Sequence, residues 1–322
     1  MTKATAAYGI RSGSCEGHEA WTLSAPGAEV SATFAPGAGM VGCSLRHRGE
    51  ELLELGGGLD AYARTGATIG IPLLYPWANR LFGFDYSLEG KTVVLDRNSP
   101  LIQLDEHGLP IHGLLGGCPY WQVSETNADS ERATLAAELD FGAHEDLLAA
   151  FPCPHLLRIE VTLEGGTLTI RTTVAPTGDV GVPISFGYHP YLRLPEAPRE
   201  RWRIAIPVRR RLVLDDHMIP TGEEEPVRFR SEALGERAFD DAFADLEPGK
   251  SFTAVAGGRE LAVTFVEGYP FAQVYSPPGA QFICFEPMTA PTNALRRGGT
   301  ALPIVRRPEA FSAAFSIAVR EP

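Results

Sequence analysis

Two residues in this chain carry polar chemistry where the surrounding pattern is apolar and strand-like. His189 lies in FGYHPYLRLP (186–195), flanked by Tyr188, Pro190 and Tyr191. Glu286 lies in FICFEPMTAPTNAL (282–295), where strand alternation puts it on one face with Phe282 and Cys284 and Pro287 is expected to end the ladder. An unpaired buried carboxylate is costly, so Glu286 needs a partner or a ligand. An apolar setting also raises a carboxyl pKa, the tuning that suits a general base near neutral pH. Two readings stand open for it: such a base, or half of a structural ion pair with an arginine. For His189 the pair of readings is a hydrogen-bonded histidine buried among rings, or a functional imidazole whose partners lie elsewhere in the chain.

Three further patches interrupt the alternation with polar groups beside aromatics. GIPLLYPWANRLFGF (70–84) contains Arg80, HGLPIHGLLGGCPYW (107–121) contains His112, and AFDDAFADL (238–246) sets Asp240 and Asp241 between Phe239 and Phe243. Singly, each has a plain structural reading: Arg80 a salt bridge at a strand end, His112 a cap for a turn before Gly113. His107, His112 and His189 as a metal site is a weaker reading, because His107 and His112 are five apart in a Gly-Pro loop, a spacing with no metal specificity. Asp240 and Glu286 as the carboxylate pair of a glycosidase would need about 5–10 Å between them.

The elements that must position these residues are short strands. In LLRIEVTLEGGTLTIRTTVAP (156–176), Ile159, Val161 and Leu163 fall on one face, Gly165-Gly166 supplies a hairpin turn, and Leu168, Ile170 and Val174 resume the alternation. RWRIAIPVRRRLVLDD (201–216), ELAVTFVEG (260–268), AQVYSPPGAQFICFEP (272–287) and AFSAAFSIAVR (310–320) behave alike, with Pro220 and Gly222 marking a turn. Helical signal is poor: HEDLLAAF (144–151) gives one or two turns, and LGGGLD (55–60) reads as a loop with no helix pattern after it. Strands do not alternate with long helices, so the expected architecture is all-β, a large antiparallel β-sandwich with few short helices, in one domain over residues 1–322.

Composition narrows the function classes. A net charge of −12 argues against a nucleic-acid partner, and the short acidic run GEEEP (222–226) reads as solvated surface. No stretch approaches the roughly 20 apolar residues of a membrane span. The N-terminal MTKATAAYGIRSGSCEG lacks an apolar core of secretory length, and five scattered cysteines without a C-x-x-C pair read as buried reduced thiols, so the cytoplasm is the expected location.

Five segments together carry a resemblance. IPLLYPWANR, IHGLL followed by a Trp, FGYHPYLRLP, LVLDDHMIPTGE and FICFEPMTAPTNAL, between residues 70 and 295, resemble the successive signature segments of the aldose 1-epimerase (galactose mutarotase) family, in the family's order. The resemblance implies the galactose mutarotase-like sandwich with an open sugar cleft on one sheet, a small sugar as partner, no cofactor and no metal, and a monomer or homodimer. It implies that His189 is the general acid and Glu286 the general base. Arg80 with Asn79 before it, His112, and Asp240, which follows the aromatic, with Asp241 as the alternative of the doubled acid, are implied as sugar-binding residues. The family's better-known galactose mutarotases have Thr-Asn before the acid histidine and Asn beyond it. Here Phe186-Gly187-Tyr188 and Leu192-Arg193 stand instead, so a preference between glucose and galactose does not carry over. The hexose 6-phosphate branch has a Trp-Pro-Trp-Phe-type segment that YPWANRL does not match, which favours a free sugar. Arg193 and Arg209-Arg210-Arg211 are what keep that branch as an alternative, beside a non-catalytic carbohydrate-binding protein.

Overall fold

The hairpin at 155–176 forms as its alternation requires. Strands His155–Glu164 and Thr167–Pro176 pair Leu163 with Leu168 and Val161 with Ile170 across a two-residue turn, and their inward residues are buried. This is a computed structural model that describes residues 7–321. The first six residues, part of the stretch read above for a leader, and Pro322 lie outside the described residues.

The hairpin sits in a nine-stranded sheet ordered Gln122–Ala128, Ala133–Asp140, His155–Glu164, Thr167–Pro176, Phe311–Arg320, Arg259–Glu267, Phe252–Ala256, Arg203–Ala205, Glu232–Ala233. Facing it is an eight-stranded sheet. Its order is Pro220–Pro226, Val208–Leu214, Phe239–Leu246, Phe271–Ser276, Ile283–Met288, Gly187–Tyr188, Leu73–Leu74, with Tyr191–Leu192 also pairing to Ile283–Met288. The inner faces meet through Tyr188 on Phe315 (ring centroids 4.9 Å) and Phe252 on Phe285 (5.5 Å), and Thr172 and Tyr188 share a hydroxyl hydrogen bond of 2.7 Å in the core. A five-stranded antiparallel sheet built from Gly9–Glu51 adds a further layer. The expected antiparallel sandwich is the observed fold, with three short α-helices among the described residues. None of these helices is long and apolar enough to cross a membrane.

Local readings were corrected in four places, each for a packing reason. Segment 201–216 is two strands, Arg203–Ala205 in the nine-stranded sheet and Val208–Leu214 in the eight-stranded one. Pro207 between them has no N–H to give a ladder, which suits a crossing between sheets. Pro220 and Gly222 begin an edge strand, Pro220–Pro226, rather than a turn, and its prolines and exposed glutamates keep that edge from pairing further. A helix, Leu59–Thr65, begins on the last two residues of LGGGLD, too short to show a helical period yet closed by Gly66 and burying Leu59 and Tyr62; the Glu16 carboxylate already occupies its first turn through the Asp60 N–H. Finally, the strand holding Glu286 runs on past Pro287 to Met288. On that strand's other flank the pairing is interrupted between Tyr188 and Tyr191, so a residue without a donor costs no bond there.

Candidate active site

Strand register brings the polar residues to one face. Asp240 pairs with Tyr275, Tyr275 with Cys284 and Cys284 with Tyr191; one row along, Gln273 pairs directly with Glu286. Because side chains alternate, Asp240, Gln273, Tyr275, Glu286, His189 and Tyr191 share the outer face of the eight-stranded sheet. Val274, Phe285 and Tyr188, one residue away, point into the sandwich. Asp241 has the opposite parity from Asp240 and meets Arg211 at 3.5 Å, so of the doubled acid it is Asp240 that reaches the cavity.

Loops supply the opposite wall. Arg80 and Ile111 form an antiparallel bridge, and the His112 N–H donates to the Asn79 carbonyl at 3.0 Å. Asn79 and His112 both take left-handed backbone (φ 53 and 63), which turns their side chains toward the site out of any strand pattern. Gly113 fixes this corner: its φ is +77, and a Cβ there would lie 2.1 Å from the Tyr75 carbonyl oxygen. Gly113→Ala is therefore expected to destabilise the protein by about 2 kcal/mol or more and to displace His112, read as a lower urea midpoint together with weaker sugar binding.

These residues enclose a cavity of about 230 Å³. That is below the usual range of about 300–1,000 Å³ for drug-sized ligands, and it suits one monosaccharide ring. Within it, His189 Nε2 stands 3.2 Å from Glu286 Oε1, but the two are not aligned as a hydrogen bond. Among the described residues no group hydrogen-bonds either Glu286 oxygen, His189 Nδ1 or His112 Nδ1, although all four atoms are buried. The imidazole is held in place: its backbone N–H donates to the Pro72 carbonyl (3.2 Å), and Tyr191 stacks on the ring at 4.4 Å and 13°. His112 meets it edge-on at 5.7 Å.

Arg80 is the cation of the site. Its Nε donates to Asp105 at 2.6 Å and its Nη2 to Glu106 at 3.2 Å, so the salt-bridge reading of Arg80 applies, and the residue also lines the cavity. Burial works against the Asp105 carboxylate, but the Leu109 N–H, Arg80 and the His107 N–H outweigh it and hold its pKa below the usual value. Asp240 accepts from Gln273 Nε2 at 2.6 Å, yet burial leaves its pKa raised. Glu286 is pushed well above the ordinary carboxyl range by complete burial, then by the Asp240 charge, with Arg80 opposing. His189 is driven well below the ordinary imidazole value by burial and by His112 beside it. The pair thus resists holding both its charges at once, and a single proton shared between them satisfies both.

The remaining histidines set the acid stability. His155 lies in the core with Tyr75 Oη 2.6 Å from its Nε2, and burial lowers its pKa to about 4. His112 falls to about 3 through burial and the Arg80 charge. Depressed histidines stabilise the fold fully above their unfolded value near 6.5, and that stability drains as pH falls because the unfolded chain takes the protons first. Between pH 7.5 and pH 5 His155 should remove about 2 kcal/mol, and His112, whose ring edge meets the cavity, somewhat less. His189 and Glu286 act with opposite signs here. Urea midpoints at the two pH values check this; equal midpoints would mean both imidazoles accept protons in the fold.

The six residues expected as acid, base and sugar ligands, Asn79, Arg80, His112, His189, Asp240 and Glu286, line this one cavity. The three-histidine metal reading does not assemble. His107 turns to His217 (5.2 Å between rings) and Glu106, and no cluster of three or more metal-ligating groups occurs among the described residues. Sequence reasoning missed Gln273, Tyr275, Tyr191, Asp105 and Glu106. The first two share the strand parity of Glu286, but only the register across the 277–282 turn brings Gln273 opposite it and Tyr275 opposite Cys284 on the same face.

The fold is a large antiparallel sandwich, with a buried carboxyl and imidazole 3.2 Å apart in a cavity on one outer sheet face. The family model for aldose 1-epimerase matches residues 19–316, and the chain belongs to that family. It is 26% identical over 236 residues to the uncharacterized protein YihR of Escherichia coli K12, covering 70% of this chain and 71% of that one. Among solved structures, it is similar to a galactose mutarotase-like protein from Clostridium acetobutylicum (TM-score 0.84, 18% identity, 98% of this chain and 99% of that one). It is likewise similar to galactose 1-epimerase from Lactobacillus acidophilus NCFM (TM-score 0.77, 14% identity, 98% of each). These structural likenesses show the fold.

Proposed function

We propose that this protein is an aldose 1-epimerase that interconverts the α and β anomers of a free hexose such as glucose or galactose. The observation that carries this reading is the unpartnered, buried Glu286 carboxyl 3.2 Å from His189 Nε2, both facing one cavity. Mutarotation needs a proton taken from the C1 hydroxyl and one given to the ring oxygen, two oxygens on the same carbon. Glu286 as carboxylate takes the first, and His189 as imidazolium gives the second as the C1–ring-oxygen bond breaks. The products are the open aldehyde, a neutral imidazole and a neutral carboxyl, the uncharged pair that burial favours. Rotation about C1–C2 presents the other aldehyde face. Closure returns both protons, with His189 now the base and Glu286 the acid. Arg80, His112, Asn79 and Asp240 hold the hydroxyls, and the reading needs no cofactor and no metal.

A phosphorylated substrate finds little support in the cavity. Arg80 is the one arginine of its lining, which has no lysine, and it already lies between Asp105 and Glu106. Arg193 pairs with Glu54 (3.7 Å), Arg209 with Asp245 (3.4 Å), Arg210 with Glu224 (3.6 Å) and Arg211 with Glu225 (2.6 Å), and none of them lines the cavity. A neutral small sugar as partner, without nucleic acid or membrane, a monomer or homodimer, one domain and a cytoplasmic site of action complete the proposal. Polarimetry on freshly dissolved α-D-glucose, α-D-galactose and glucose 6-phosphate tests it. Faster equilibration of a free hexose is expected. Acceleration confined to the phosphosugar would overturn the substrate, and no acceleration with binding retained would leave a carbohydrate-binding protein.

A further inference from the structure

The direction of Arg80 is set by a carboxylate that does not itself line the cavity. Asp105 opens the tip of a small hairpin in which Gln103–Leu104 pairs with Pro110–Ile111, and Arg80 bridges to Ile111 of the same hairpin. The Asp105 side chain is 1% exposed. Its two oxygens have separate tasks. Oδ1 accepts the His107 N–H at 2.9 Å and the Leu109 N–H at 2.8 Å, which closes the turn. Oδ2 accepts Arg80 Nε–H at 2.6 Å. One side chain thus ties the fold of the loop to the plane of the guanidinium.

Burial separates this carboxylate from its neighbour. Glu106 accepts from Arg80 Nη2 at 3.2 Å, but its side chain is 66% exposed, and an ion pair screened by water holds little. The bond to Asp105 is short, charge-assisted and buried, so it is strong and directional. Losing it would leave the largely buried Arg80 cation without its closest counter-charge. The N–H groups of a guanidinium lie in one plane. With Nε–H given to Asp105 and one Nη2 proton to Glu106, the Nη1 protons and the second Nη2 proton remain for the cavity that Arg80 lines. Because Nε is fixed, those protons meet the sugar hydroxyls already aimed, and the ligand does not have to order the side chain itself.

We infer that Asp105 is a positioning residue, acting on the sugar only through Arg80 by holding the guanidinium plane toward the bound ring. This rests on the mutarotase reading above for the reaction, though not for the geometry. The test compares Asp105→Asn, Arg80→Gln and the double variant with the wild type. Polarimetry gives kcat and KM, and calorimetry gives Kd, for glucose and galactose. The amide keeps an oxygen for the His107 and Leu109 N–H groups, so the turn persists, but it sets an N–H donor against Arg80 Nε. Where that variant does not fold, Asp105→Ser keeps an acceptor for the turn and removes the charge. Asp105→Asn should raise KM and Kd about tenfold and change kcat by less than about threefold, because Arg80 grips ground and transition state alike. In the Arg80→Gln background the same substitution should change KM and Kd by less than about twofold, since its only route to the sugar is gone. A role confined to the loop's own fold would give a loss of equal size in both backgrounds. That result, or an unchanged KM and Kd in Asp105→Asn alone, would overturn the proposal and leave the mutarotase reading standing. If no hexose equilibrates faster, the mutarotase reading fails and the same comparison in Kd decides for Asp105. If none binds either, Arg80 grips no sugar and the proposal falls as well.

Discussion

Glu286→Gln should lower kcat for hexose mutarotation by about 10²–10⁴-fold and make the protein more stable at neutral pH. The amide keeps the shape of the carboxyl but takes no proton from the C1 hydroxyl. Stability moves the other way because the carboxyl is fully buried with its pKa raised by that burial. A carboxyl whose folded pKa lies above its unfolded value near 4.5 favours the fold below that value and penalises it as pH rises. The gap between variant and wild type should therefore be small at pH 4.5. Above that it should widen by about 1.4 kcal/mol per pH unit until the folded pKa is reached. Polarimetry and urea titrations at pH 4.5 and 7.5 read both effects. Wild-type turnover in the folded variant would remove Glu286 as the base, and a pH-independent stability difference would contradict its buried, perturbed state.

His189→Ala should cost a similar factor, about 10²–10⁴ in kcat, and the two losses should not multiply. In the proposed mechanism Glu286 and His189, 3.2 Å apart, each exchange a proton with the sugar in the same step, so the double variant should be little slower than the worse single one. The pH profile separates a catalytic imidazole from a packing one. Wild-type activity requires the pair to hold one proton and should fall on both sides of that window. Without His189 only the ionisation of Glu286 remains, so residual activity should rise with pH through a pKa above the ordinary carboxyl range. A bell that persists in His189→Ala would mean that another group, with His112 the nearest, supplies the acid. Arg80→Gln, by contrast, should act partly through KM, because a residue that grips the hydroxyls serves ground and transition state together.

Much of this was legible in the residues themselves. Period-two alternation around Gly165-Gly166 specifies that hairpin, since one strand face must be buried and the turn length sets the register. His189 and Glu286 stand out because a polar group on a buried face must be matched by something, and the order of five segments carries the family. What the residues do not record is adjacency across long separations. Gln273 faces Glu286 only through the register of a six-residue turn, and Arg80 meets Asp105 only because the 110–113 corner folds back on Asn79 in left-handed backbone. The ladder between Val208–Leu214 and Phe239–Leu246 stops at Arg211 and Phe243 with no local signature at all. Alternation and turn chemistry are set by neighbours along the chain, so sequence alone determined the strands and the suspect residues. Register, sheet order and the places where strands separate follow from packing between distant segments, and only the tertiary structure decided that six scattered side chains share one cavity.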